Sequence, residues 1–287
     1  MRRHSSSRHT TRVPQRFART AIHHYFVAGV WLFVSNRFSE RLLLLDERRD
    51  AFLRALVYLG GYCTVDQAQR MGLASSPRRV LFRLDCLERS RFLRRVFLHP
   101  FVYQITKSVT RLMGVDWMAR RRHPVETVRR RLLAVNFYLE ARDWPAQFLC
   151  EHEDKVVAFR TVGCPPNFLP SRGGQPYLWE DFVLDPGDGS LCVSVVDRAH
   201  CNALLQALTL VRRFADCRLR LRERLSLVLA VGSEARHRLY SKIAKHPKVL
   251  GYSRGISEPF STYEVSTPVP RMAVLTHESE IHSDNLI

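Results

Sequence analysis

The residues in this chain whose types could do chemistry are carboxylates in or just after two short apolar runs. Glu180 and Asp181 sit in YLWEDFVL (177–184), and Asp197 follows LCVSVV (191–196). Between the runs, Asp185-Pro186-Gly187-Asp188-Gly189 is turn chemistry, so the two runs read as a β-hairpin. Carboxylates on neighbouring strands can hold Mg²⁺ and activate water for phosphodiester cleavage, where the attacking and the leaving oxygen both need electrostatic stabilisation. Asp181 is the candidate metal ligand, with Glu180, Asp197 and Glu151 as the carboxylates able to join it. The alternative is structural, with Asp197 and Arg198 forming a strand-end cap or ion pair.

Positioning these residues requires the elements around the hairpin. Phe148–Cys150 and Val156–Phe159 read as strands flanking an acidic turn, Glu151-His152-Glu153-Asp154, and 163–175 reads as a loop rich in Pro and Gly. A helix is expected over Asn202–Phe214. Leu225–Val231 (LSLVLAV) is almost continuously apolar, as a strand covered on both faces would be. Ser233 is placed to cap a last helix reaching Lys245. This order of helix, strand, hairpin, helix, strand and helix is similar to the core of the restriction-endonuclease-like fold. In that fold an Asp on one hairpin strand and a Glu-x-Lys on the next hold the metal. Asp181 stands at the first position, but Val195 stands at the Glu position and Asp197 at the Lys position. Valine cannot coordinate magnesium, so the expected site is degenerate.

Upstream, residues 44–106 carry a different pattern. Phe52, Leu53, Leu56, Val57 and Leu59 recur at helical spacing and stop at Gly60-Gly61. Thr64 begins a second, short helix ending at Gly72. Ser75 or Ser76 and Pro77 open a third, whose stripe of Val80, Leu81, Leu84 and Leu87 leaves the arginines off the stripe. Two β-like runs, Phe92–Phe97 and Phe101–Ile105, follow as a hairpin. The order is that of a winged helix-turn-helix, in which the third helix enters a major groove and the hairpin rests on the adjacent backbone. Arg78, Arg79, Arg83, Arg91, Arg94 and Arg95 are the candidate DNA-binding residues. Winged helices also serve as protein-docking modules, and arginines on an exposed helix are often only a solvated face.

Composition bounds the rest. A chain of 287 residues with 46% apolar content can form two modest cores. A formal net charge of +18 favours a polyanionic partner, nucleic acid first and an anionic membrane surface second. Only five of the 45 basic residues are lysine, a bias that a GC-rich genome also produces. Seven cysteines form no CxxC pair and the histidines have no metal spacing, so reduced thiols and a cytoplasmic location are expected. Tyr25–Val34 is apolar but too short to span a bilayer.

The expected organisation is α+β. A basic arm and apolar leader occupy 1–43, a winged helix-turn-helix 44–106, a helical linker 107–145, an α/β nuclease-like domain 146–250 and a loose tail 251–287. The linker's helix, expected within His123–Arg142, adds a second basic cluster at Arg129, Arg130 and Arg131.

The layout resembles the replication-relaxation family of plasmid and mobile-element proteins over about Asp50–Lys248. The matching residues are Phe101-Val102-Tyr103-Gln104-Ile105-Thr106 at the wing's end, the Glu180-Asp181 pair, and Val196-Asp197-Arg198 before a helix. That family carries Pro-Asp on its first strand and Glu-Val-Asp-Arg on its second; this chain has Glu180 for the Pro and Val195 for the Glu. The resemblance implies a DNA-binding protein acting in replication, relaxation or mobilisation, with an inactive nuclease-like domain. The alternatives are a Mg²⁺-dependent nuclease using Asp181 and a protein-interaction module of a conjugation or replication complex. Expected partners are double-stranded DNA, replication or mobilisation proteins and a second copy of the chain, with no membrane. No cofactor is expected, and magnesium enters only with the nuclease reading.

Overall fold

The structure, a computed structural model, describes residues 45–114, 123–253, 256–270 and 272. The basic arm, the Tyr25–Val34 run and the final 15 residues lie outside them. Helix α1 (Glu47–Tyr58) begins where the Asp46 side chain accepts from the Arg49 amide and buries Phe52, Leu53, Leu56 and Val57. Strand β1 (Tyr62–Thr64) leads into α2 (Val65–Arg70), capped reciprocally by Thr64 and Gln67. Helix α3 (Pro77–Arg89) has Pro at its first position and buries Val80, Leu84 and Leu87. Strands β2 (Leu93–Leu98) and β3 (Phe101–Ile105) complete an antiparallel sheet of order β1-β3-β2.

A short helix α4 (Lys107–Leu112) follows, then α5 (Val125–Ala141). Strand β4 (Gln147–Leu149), helix α6 (His152–Thr161) and the two-residue strands β5 (Ser171–Arg172) and β6 (Gln175–Pro176) come next. The hairpin is β7 (Phe182–Asp185) and β8 (Leu191–Val196). Helices α7 (Ala203–Arg213) and α8 (Ala215–Leu221) precede β9 (Leu225–Val231). Helices α9 (Glu234–Ala244) and α10 (Pro247–Tyr252) and strand β10 (Ser261–Glu264) end the described order. The second sheet runs β10-β9-β8-β7-β4, with β8, β9 and β10 parallel and β7 antiparallel to both β4 and β8. The fold is therefore mixed α and β around a mixed sheet.

Side-chain alternation divides the sheet's burial between two layers. Phe182, Leu184, Val196 and Ala230 pack in one cluster with Phe137 of α5 and with Leu53, Leu84 and Phe92. Val183, Val193, Leu227 and Leu229 face a second cluster with Phe159, Leu210, Phe214 and Tyr240. The expected linker 107–145 thus supplies a core helix. Nine α5 side chains are buried, and the helix is hydrogen-bonded to the first sheet's helices, because Gln67 Nε2 donates to Leu132 O (2.8 Å) and to Asn136 Oδ1 (2.7 Å). The described residues all fall within one compact unit.

Three local expectations need correction. Val156–Phe159 belongs to helix α6, not to a strand. The acidic Glu153 and Asp154 form its first turn, where they complement the helix dipole, and Lys155, Ala158 and Phe159 recur at helical spacing on the buried face. Tyr177–Asp181 is not strand, because Lys155 Nζ takes the Leu178 and Asp181 carbonyls at 3.2 and 2.8 Å in place of a ladder partner. The tail expected to be loose contains β10, and Glu140 of α5 anchors the residues after it. Its carboxylate accepts from the Tyr263 hydroxyl and from the Ser266 and Thr267 amides at 2.9–3.1 Å.

Candidate functional site

Asp181 and Asp197 lie at one end of the β7–β8 hairpin, the first just before β7 and the second just after β8. Both are buried, and each is taken by an arginine from a helix across the sheet. Arg213, at the last turn of α7, grips Asp181 with both nitrogens, Nη1 to Oδ1 at 2.9 Å and Nη2 to Oδ2 at 2.7 Å. Burial pushes the Asp181 carboxyl up to about 6, against the opposing pull of Arg213 and Lys155. Burial also pulls Lys155 down to about 8. Arg236 of α9 grips Asp197 in the same way, at 2.7 Å to each oxygen, and the Tyr240 hydroxyl adds a third bond to Oδ1 at 2.7 Å. Four carboxylate oxygens that could have met a metal are thus engaged by guanidinium groups.

The other carboxylates do not join them. Glu180 is half-exposed and bonded to Arg198 at 3.0 Å, with Arg130 3.8 Å away. Glu151 is exposed ahead of α6 and caps it without a side-chain bond. Among the described residues, no group of three or more His, Cys, Asp or Glu could hold a metal ion. No described helix is long and apolar enough to cross a membrane.

The raised Asp181 carboxyl fixes the sign of a pH dependence. A group whose folded pKa lies above its unfolded value contributes stability that is full below about 4 and is lost as pH rises through about 6. Asp181→Asn removes that loss. Chemical denaturation at pH 4.5 and pH 7 should find the variant comparing more favourably with the wild type at pH 7; an unchanged difference would refute the assignment.

The candidate DNA-binding arginines divide by geometry. Arg78, Arg79 and Arg91 are exposed, as is Arg89. Phe82, 64% exposed, lies among them on the solvent face of α3, one turn beyond Arg78 and Arg79. The other three turn inward. Arg83 donates to Leu73 O at 2.7 Å and lies 3.8 Å from Asp46. Arg94 donates twice to Gln104 Oε1, at 3.0 and 2.7 Å. Arg95 bonds Asp85 at 2.9 Å and Glu88 at 3.1 Å, with its guanidinium over the Phe101 ring. Their polar partners lie on neighbouring turns and strands of the same block, which composition and periodicity do not reveal.

A cleft of about 620 Å³ opens between the end of α1, helix α5 and the base of the hairpin. Arg130, Arg131 and Arg172 line it, opposed by Glu180, and Tyr58, Tyr177 and Trp179 supply aromatic surface. Gly60 makes the wall possible: its φ is +100°, and a Cβ there would meet Arg131 Cγ at 2.8 Å. Arg131 in turn donates to Gly60 O at 2.9 Å. The basic run at Arg129–Arg131 was visible in the sequence, whereas Arg172 sits on a two-residue strand and Tyr177 and Trp179 in an irregular segment. The aromatic residues flanking Glu180-Asp181 were the one available signal. Compared with protein-family models, curated proteins and solved structures, the chain finds no match in any of the three.

Proposed function

We propose that this chain is a DNA-binding protein of a plasmid or other mobile element, acting in replication, relaxation or mobilisation through a winged helix-turn-helix. The observation that carries the reading is the solvent face of α3, where Arg78, Arg79 and Arg89 surround the exposed Phe82. The element order α1, β1, α2, α3, β2, β3 with sheet order β1-β3-β2 supports it, since that arrangement leaves the third helix free to enter a major groove. Guanidinium groups there meet phosphates or guanine edges, and an apolar ring suits the thymine methyl. The order α5, β4, β7, β8, α7, β9 supports a nuclease-like second half. The arginine grip on Asp181 and Asp197 favours one without cleavage. The Val196-Asp197-Arg198 resemblance supplies the biological setting.

Duplex binding by the Arg78→Ala/Arg79→Ala double variant tests the reading. Losing two phosphate contacts should weaken binding about tenfold or more at moderate salt and make the slope of log affinity against log salt shallower by about 2. Arg83→Ala should leave that slope unchanged and lower stability by about 1 kcal/mol through the bond to Leu73 O. Wild-type duplex affinity and slope in the double variant would overturn the proposal.

A further inference from the structure

The cleft beside the hairpin has no part in duplex binding by α3, and its chemistry is specific. Two of its cations, Arg130 and Arg131, are held in partly desolvated surroundings. Arg130 is only 23% exposed, and its nearby carboxylate, Glu180, already bonds Arg198 more closely. Burial and the neighbouring Arg198 pull the Arg130 guanidinium below its ordinary value. Arg172 stands exposed on the β5–β6 ribbon with its guanidinium 5.4 Å from the Tyr177 ring centroid. Trp179, 37% exposed, is held flat by stacking on His152, with ring centroids 5.0 Å apart and planes 7° apart. A rigid indole, a cation over a tyrosine and an excess of guanidinium in a space of ligand size ask for an anion joined to a flat ring.

We infer that this cleft binds unpaired nucleotides of a DNA strand, with Arg130 and Arg172 meeting the phosphates and Trp179 meeting the bases. Paired bases are stacked within the helix and cannot offer their faces to an indole; a single strand can, and aromatic surface beside a basic groove is how such strands are held without sequence preference. The inference rests on the proposed function only in taking DNA as the polymer. It adds a second, separate contact, suited to a junction between duplex and single strand.

The test measures binding of a labelled short oligothymidylate, an abasic oligomer of the same length, and a blunt duplex to the full chain. The wild type should bind the oligothymidylate about tenfold more tightly than the abasic strand, the difference being the stacking. Arg172→Ala/Trp179→Ala should lose about tenfold on the oligothymidylate, keep its duplex affinity and melt with the wild type. Arg78→Ala/Arg79→Ala should do the reverse, losing duplex and keeping the single strand. Equal affinity for the abasic strand, or an undiminished Arg172→Ala/Trp179→Ala variant, would overturn the inference. Single-strand binding without duplex binding would uphold it and overturn the α3 reading.

Discussion

Arg213→Ala should lower stability by about 3–5 kcal/mol at neutral pH, because it leaves the fully buried Asp181 carboxylate without its bidentate partner. The Tyr177 carbonyl, which Arg213 also holds at 2.7 Å, loses its donor as well. The deficit should shrink as pH falls. With the guanidinium gone the carboxyl protonates more readily, and a neutral acid costs less to bury than an anion. Arg213→Ala combined with Asp181→Asn should recover part of the loss at pH 7, since the orphaned charge is then absent. Denaturant midpoints of both variants at pH 5 and pH 7 decide the matter; a pH-independent deficit with no recovery would mean that Arg213 acts through packing alone.

Phe137→Ala should cost about 3–5 kcal/mol and lower the melting temperature by on the order of 10 °C. Phe137 is fully buried on α5, and four aromatic rings surround it: Trp144 at 5.8 Å, Phe148 at 6.5 Å, Phe182 at 6.1 Å and Tyr263 at 5.8 Å between centroids. Those rings come from the α5–β4 connection and three strands of the large sheet, β4, β7 and β10. The cluster also reaches Leu53, Leu84 and Phe92 of the N-terminal block. Because one core serves both sheets, the variant should still unfold in a single transition. Amide exchange in β3 and β8 should rise together. Two separated transitions would show instead that the blocks are independent.

What could be read from the residues, and what could not, follows the range of the interactions. Leu225–Val231 matches its expected strand residue for residue, since a strand paired on both sides and buried everywhere but at Ser226 has a single polar position to interrupt the pattern. The Asp185–Gly189 turn was equally plain, because it is made locally: Asp185 Oδ1 accepts from the Gly187 amide and Asp188 Oδ1 from that of Ser190. Helix α6 was misread because Lys155-Val156-Val157-Ala158-Phe159 is rich in β-forming residues, and only burial of one side reveals the helical period. Most of all, Asp181 and Asp197 could be picked out as the candidate carboxylates of the hairpin, but not their partners. Arg213 and Arg236 lie 32 and 39 positions away, on helices whose docking is decided by the fold. The cleft stayed hidden for the same reason, being assembled from α1, α5, the β5–β6 ribbon and the hairpin.

Helix α5 has one more implication. Gln67 and Gly60 on one side and Tyr263 and the Thr267 carbonyl on the other are all bonded to it, so among the described residues the block that carries the arginine face of α3 and the wall of the cleft are tied to one helix. A nucleic acid touching both places meets a rigid jig. Any mismatch in angle between them has to be absorbed by the DNA, as a bend or as parted strands, and flexible pyrimidine–purine steps would yield at the least cost.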